Sequence, residues 1–257
     1  MSSDSMALAG KVAIVTGGSR GIGAGIAYEL ASRGANILIT YNSASAKAEE
    51  VANSIRNLGV DVAIVQASGT DKAAPEAVVK AAVERWKVID IIVNNAGEGA
   101  DCDFDKLSYD FWDLQMNCNI RFPVFLVQAA MPYFGPAPRI VNLSSVFARS
   151  GPLDCMSYAA SKGAMESATR SLARELGHKY NATVNCVNPG PVATDMWLKD
   201  TTPAQLAFWE PIIKETPAAP RVAEVDDVVQ IVAFLCDERS RWSTGSVVNA
   251  NGGMYFV

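Results

Sequence analysis

Short apolar runs alternate with longer amphipathic stretches from one end of the chain to the other. "KVAIVTG" (11–17) reads as a buried strand, and "GIGAGIAYELASRG" (21–34) as a helix closed by Gly34. "NILITY" (36–41) is a second strand, followed by the helical "SAKAEEVANSIRNLG" (45–59), which Gly59 stops. "VDVAIVQ", "VIDIIVNNAG", "RIVNLSS", "ATVNCVNPG" and "GSVVNANGG" supply further strands, each next to a helical segment. The strands are apolar throughout, which predicts a sheet covered on both faces. Their β-α-β-α order predicts parallel strands joined by right-handed crossovers. No internal repeat, low-complexity tract or long linker interrupts the pattern, so residues 1–257 are read as one domain. The regular pattern lapses only between Asn188 and about Pro220, a stretch rich in Pro and Thr with a short helix near "PAQLAFWEPIIK". Long irregular segments in compact domains are usually functional. Residues 189–220, which carry Met196, Trp197, Leu198, Phe208 and Trp209, are therefore expected to form a lid over a pocket that takes a partly apolar substrate.

Composition narrows the classes. Hydrophobic residues make up 49% and charged residues 19% of 257, a globular balance. The net charge of −5 disfavours a surface that tracks nucleic-acid phosphates. No apolar run approaches the ~18 residues of a membrane span. "MSSDSMALAGK" lacks the charged leader and apolar core of a secretion signal. The five cysteines are odd in number, scattered and without a CxxC pair, which suits a reducing compartment and predicts a cytoplasmic protein. With His178 the single histidine, His-based metal clusters and most His-based triads are excluded by counting. His178 itself lies near a helix C-terminus, where a cation is favourable.

"VAIVTGGSRGIGAGIA" leads from strand through a glycine-rich turn into a helix, with Gly17, Gly21 and Gly23 spaced G-x-x-x-G-x-G. Glycine lets backbone approach a pyrophosphate, and the helix N-terminus offers free N–H groups and the positive end of its dipole. Ser19 and Ile22 complete the turn. An NAD site carries an acid after the second strand to bind the ribose 2′-hydroxyl. Here "YNSASAKA" follows, and no acidic residue occurs between Arg33 and Glu49. Arg20 in the turn suits a 2′-phosphate, with Tyr41, Asn42 and Ser43 as further hydrogen-bonding groups, so NADP(H) is the expected cofactor.

In "SYAASKGAM", Tyr158 and Lys162 stand four positions apart, neighbours on one helix face. With "TGGSRGIG", "NNAG" (94–97), "WDLQMNCN" ending at Asn119, "NLSS" ending at Ser145, "YAASK" and "NPGPVAT" (188–194) in this order, the chain resembles the short-chain dehydrogenase/reductase family over nearly its whole length. That resemblance implies a three-layer, doubly wound, Rossmann-like α/β fold. Its seven-stranded parallel sheet would have the order 3-2-1-4-5-6-7, with the site at the carboxyl ends of the strands. It further implies Tyr158 as general acid/base and Lys162 as the ammonium that lowers the phenol's pKa and holds the nicotinamide ribose. Ser145, rather than its neighbour Ser144, would donate to the carbonyl oxygen, and Asn119 would hold a water in a proton relay. Ser68, Asn95, Ala96, Gly97, Pro189, Gly190, Val192 and Thr194 are the remaining cofactor contacts the resemblance implies. Glu98, Leu153, Met196 and Trp197 join Ser145 and Tyr158 at the substrate. It also implies a homotetramer or homodimer built on the helices near Phe111–Met131 and Tyr158–Leu176, and pro-S hydride transfer.

Three positions depart from the family's usual pattern. Ser68 stands where an aspartate often meets the adenine, Glu98 where apolar residues are commoner, and Asn251 where an aspartate usually precedes the double glycine. The activity expected is reduction of a ketone in secondary metabolism, on a polyketide-, steroid- or acyl-thioester-like substrate. Redox-neutral dehydratase, isomerase or cyclase chemistry on the same cofactor and a non-catalytic NADP sensor are the alternatives. The intact Ser145, Tyr158 and Lys162 set speaks against the sensor.

Overall fold

The computed structural model describes residues 6–256, apart from the side chains of Met196, Lys199, Asp200 and Ala204. Its strands are β1 (Val12–Val15), β2 (Asn36–Tyr41), β3 (Val62–Gln66), β4 (Ile89–Asn94), β5 (Phe134–Leu143), β6 (Thr183–Pro189) and β7 (Val247–Ala250). They form one seven-stranded sheet in the order β3-β2-β1-β4-β5-β6-β7, and every pairing is parallel. The expected doubly wound single domain is thus the observed one.

The reason the strands are apolar throughout is visible in the register. Leu38, Ile14, Ile92, Ile140 and Val184 are aligned across adjacent strands. They face one layer, made of α3 (Ala74–Trp86), α5 (Phe122–Ala130) and α7 (Met156–Tyr180). The next row, Ile39, Val15, Val93 and Val141, faces the other layer, made of α1 (Gly21–Ser32), α2 (Ser45–Arg56) and α10 (Val225–Leu235). Successive strand residues point to opposite faces, so both sets must be apolar. Each such side chain, fully buried, contributes roughly 1.5–3 kcal/mol.

Three local features differ from the sequence expectation. Strand β5 starts at Phe134, upstream of "RIVNLSS", and its pairing with β4 shifts register between Ile89 and Ile91. The single helix expected near Phe111–Met131 is broken into α4 (Tyr109–Met116) and α5 by a π-helical turn over Asn117–Arg121. The 189–220 segment is more regular than its composition suggests, because it carries α8 (Asp195–Asp200) and α9 (Pro203–Lys214). Helix α9 starts on a capping box between Thr202 and Gln205 with Pro203 at its first position, and it buries Trp209. A four-residue helix, α6 (Phe147–Ser150), follows β5 directly.

Candidate active site

The chain leaves β1, β2, β4, β5 and β6 at the same edge of the sheet, and these exits surround a cleft of about 860 Å³. At the first exit, Gly17 has φ +65°, a backbone conformation that L side chains rarely adopt. Its N–H donates to Thr40 Oγ1 at 3.1 Å. A Cβ on Gly23 would lie 2.3 Å from the Gly17 carbonyl oxygen and 2.4 Å from Asn95 Nδ2, so only glycine lets α1 begin this close to the turn. Asn95 Nδ2 in turn donates to the carbonyls of Thr16 (2.9 Å) and Gly17 (3.3 Å), tying the exit of β4 to that of β1. Thr16 Oγ1 accepts the N–H groups of Asn95 (3.0 Å) and Ala96 (2.9 Å), a link that a threonine after an apolar strand did not signal in the sequence.

This cradle fits a dinucleotide phosphate. The N-cap of α1, Arg20, makes no side-chain capping bond, and the first turn holds no acidic residue. The first N–H groups of α1 are therefore open to an anion. Arg20 is exposed at the cleft and makes no ion pair among the described residues. Ser19, Gly21, Ile22, Tyr41, Asn42, Ser43, Ser68, Ala96, Gly97, Pro189, Gly190, Val192 and Thr194 all line the same cleft, as the sequence predicts.

Ser145, Tyr158 and Lys162 meet on its inner wall. Lys162 is buried; its Nζ donates to the Leu143 carbonyl at 2.8 Å and lies 5.5 Å from the centre of the Tyr158 ring. The net shift of the Tyr158 phenol runs opposite to the expected lowering. Burial pushes the phenol up to about 12, the Ser145 hydroxyl opposes that shift, and Cys155 adds to it. Burial also brings Lys162 down to about 8. Removing water penalises both charged forms. Tyr158 is thus firmly protonated at neutral pH, the form that a proton donor requires.

The two serines separate by their partners. Ser144 is buried, and its Oγ donates to Glu166 Oε1 at 2.9 Å. Ser145 Oγ lines the cleft, accepts the Phe147 N–H at 3.2 Å and is hydrogen-bonded with the Tyr158 hydroxyl, so it faces the reacting centre. The buried Glu166, which the sequence did not single out, also takes Arg149 Nε (2.8 Å) and Asn188 Nδ2 (3.3 Å). One carboxylate thereby braces the ends of β5 and β6 against α7.

Asn119 lies in the π turn, buried behind the wall rather than lining it. Its Oδ1 accepts the Glu98 N–H (2.8 Å), and its Nδ2 donates to the Glu98 carbonyl (2.8 Å) and to Ser161 Oγ (2.9 Å). Its amide thereby fastens the loop after β4. Glu98 and Trp197 line the cleft. Leu153 does not line it and is 86% exposed. The Met196 side chain lies outside the described residues. Two further residues line the substrate side unannounced. Phe147 stacks on Trp209 at 5.7 Å, and Asp101 accepts Cys155 Sγ (2.7 Å) and Gln205 Nε2 (2.5 Å), joining the β4 loop to α7 and α9. Among the described residues no group of His, Cys, Asp and Glu could hold a metal ion, and no helix is long and apolar enough to cross a membrane.

A family model described as enoyl-(acyl carrier protein) reductase matches residues 17–255. The chain is 60% identical over 249 residues to the short-chain dehydrogenase/reductase FrzI of Cladobotryum sp., covering 96% of both. It is 36% identical over 262 residues to the hydroxynaphthalene reductase-like protein Arp2 of Metarhizium guizhouense, covering 96% of this chain and 95% of that one. A short-chain dehydrogenase from Burkholderia cenocepacia, solved in complex with NADP, superposes with a TM-score of 0.89 at 37% identity, over 96% of this chain and 98% of the other.

Proposed function

The chain belongs to the short-chain dehydrogenase/reductase family, and from that membership we propose that it is an NADP(H)-dependent oxidoreductase that reduces the carbonyl of a partly apolar, polyketide-like ketone. One observation carries this: Ser145, Tyr158 and Lys162 share a single cleft with the open N-terminus of α1 and the unpaired Arg20. Arg20, with Tyr41, Asn42 and Ser43, suits a ribose 2′-phosphate, and the first turn of α1 suits the pyrophosphate. Asn95, Ala96, Gly97, Pro189, Gly190, Val192 and Thr194 line the space left for the rest of the nucleotide. NADPH supplies the hydride when it is bound there. The chain's own part is the proton. Ser145 donates a hydrogen bond to the carbonyl oxygen as negative charge develops on it. Tyr158 passes its phenolic proton to that oxygen, and Lys162, as an ammonium, stabilises the phenolate left behind. The resemblance to a NADP complex and to a reductase-like protein supports the same direction.

Residues 189–220 act as the lid, with α8 and α9 covering the substrate and Gln205 holding α9 to Asp101. A homotetramer or homodimer would bury the apolar side chains that α4, α5 and α7 now present, Tyr109, Phe125 and Met156 among them. Five free cysteines suit a cytoplasmic setting.

The test follows NADPH absorbance over a panel of ketones. Steady loss with product formation is the expected result; product without loss would move the chain to redox-neutral chemistry, and binding without product to a sensor. Tyr158→Phe should lower kcat by about 100-fold or more while the Kd for NADPH stays within a few-fold. Undiminished turnover in that variant would remove Tyr158 from the acid role.

A further inference from the structure

The charges that line the cleft are unevenly placed. Arg20 stands in the glycine turn, and Lys162 is buried with its amine on the Leu143 carbonyl. The remaining charged residues on the wall are acidic: Glu98, Asp101 and Asp195. Asp195 is paired with Lys47 at 3.0 Å, and the two oxygens of Asp101 take a thiol and an amide, both neutral. The Glu98 carboxylate has neither hydrogen-bond nor ion-pair partner among the described residues, although its backbone is clamped on both sides by Asn119. The loop thus presents a half-buried carboxylate, unpaired among the described residues, to the cleft. Leaving a partly desolvated charge unpaired is unfavourable unless a ligand pairs with it.

The same cleft is lined with aromatic rings. Phe147 and Trp209 are stacked (5.7 Å, 16°). Trp197 meets Trp209 edge-on at 6.1 Å, and Phe147 meets Tyr158 at 6.2 Å, so ring surface runs from α9 to the proton donor. Ring faces together with a carboxylate are the recognition chemistry of alkylammonium ions. The loop lies close to the reacting centre: a Cβ on Gly99 would be 3.5 Å from Tyr158 Cε2. An anionic substrate would meet two carboxylates here, while the cations among the described lining residues are Arg20 in the glycine turn and Lys162, held on the Leu143 carbonyl.

We infer that the ketone reduced in this cleft carries a positively charged nitrogen a few bonds from its carbonyl, paired with Glu98 and packed against the Phe147, Trp197 and Trp209 rings. The inference rests on the reductase reading above and narrows its substrate class from apolar ketones to amino ketones.

The test compares 1-benzyl-1-methyl-4-oxopiperidinium, permanently charged, with 4-benzyl-4-methylcyclohexanone, its neutral carbon counterpart, in the NADPH assay. The wild type should favour the cation by about tenfold or more in kcat/KM, and Glu98→Gln should reduce the cation-to-neutral ratio by about tenfold. Comparing this ratio between the wild type and Glu98→Gln cancels the intrinsic reactivity of the two ketones. A wild-type preference for the neutral ketone, or a ratio unmoved in Glu98→Gln, overturns the inference and leaves the reductase reading standing. Should neither ketone nor any other be reduced, the reductase reading falls. The cation site is then judged by titration of tryptophan fluorescence with benzyltrimethylammonium: quenching that weakens about tenfold in Glu98→Gln supports it, and no quenching of the wild type refutes it.

Discussion

Lys162 is a residue on which folding and chemistry act in opposite directions. Its amine is buried, and burial draws its pKa from the ordinary lysine range down to about 8. The unfolded chain, with this amine near its unperturbed value of ~10.4, binds the proton more tightly over that window, so the stability contribution of this group rises with pH between them. At neutral pH the buried ammonium opposes folding. Lys162→Met should therefore stabilise the protein at pH 7 by about 1–3 kcal/mol, even after losing the bond to the Leu143 carbonyl. The advantage should shrink by pH 10, where the native lysine is neutral. Urea unfolding at the two pH values measures this, and equal stabilities at pH 7 would count against a strained ammonium. The same variant should lose turnover by at least about 100-fold. For the native enzyme, the kcat/KM for reduction should decline as pH rises through about 8, the Lys162 value, whereas Tyr158, held up to about 12, stays protonated throughout.

At the level of elements, the strand ends act as one frame, and Glu166 is its cross-brace through Ser144, Arg149 and Asn188. Glu166→Ala removes the buried partner of Arg149 and should lower the unfolding free energy by about 3 kcal/mol. Glu166→Gln, which keeps a hydrogen-bonding side chain, should lower it by less; identical losses would show that packing rather than the bonds matters. The frame explains what the sequence made legible. Apolar runs, glycine spacing and the Tyr158–Lys162 interval are local signals, and the strands, the phosphate cradle and the site wall followed from them. Glu166 was illegible because a glutamate in a helix looks solvated until strands some 20 residues upstream and downstream are brought against it. Asn119 was legible by resemblance, but the bonds of its amide to the Glu98 backbone were not, because the π turn that carries it leaves no trace in residue periodicity. The upward shift of Tyr158 was illegible for a related reason: the pair's spacing could be read, but the depth of its burial depends on the whole cleft. Leu153 shows the converse, a residue two before Cys155 whose loop turns it to solvent.

The whole molecule is acidic, with a net charge of −5, so Arg20 acts locally within an unfavourable field for a phosphorylated nucleotide. Arg20→Ala should raise the KM for NADPH by about tenfold and leave that for NADH nearly unchanged; parallel losses for both would mean that the guanidinium does not read the extra phosphate. A second electrostatic contact spans the molecule's mouth. Lys47, on α2 at the nucleotide side, reaches 3.0 Å to Asp195, the first residue of α8, and both side chains remain well exposed at 48% and 37%. A pair so wetted is worth about 0.2–1 kcal/mol and weakens with salt. It is a hasp and not a lock: thermal motion can lift it, and each catalytic cycle can exchange its nucleotide without unfolding anything. Raising ionic strength should hasten nucleotide departure in stopped-flow traces, and Lys47→Ala should show the faster rate already in dilute buffer.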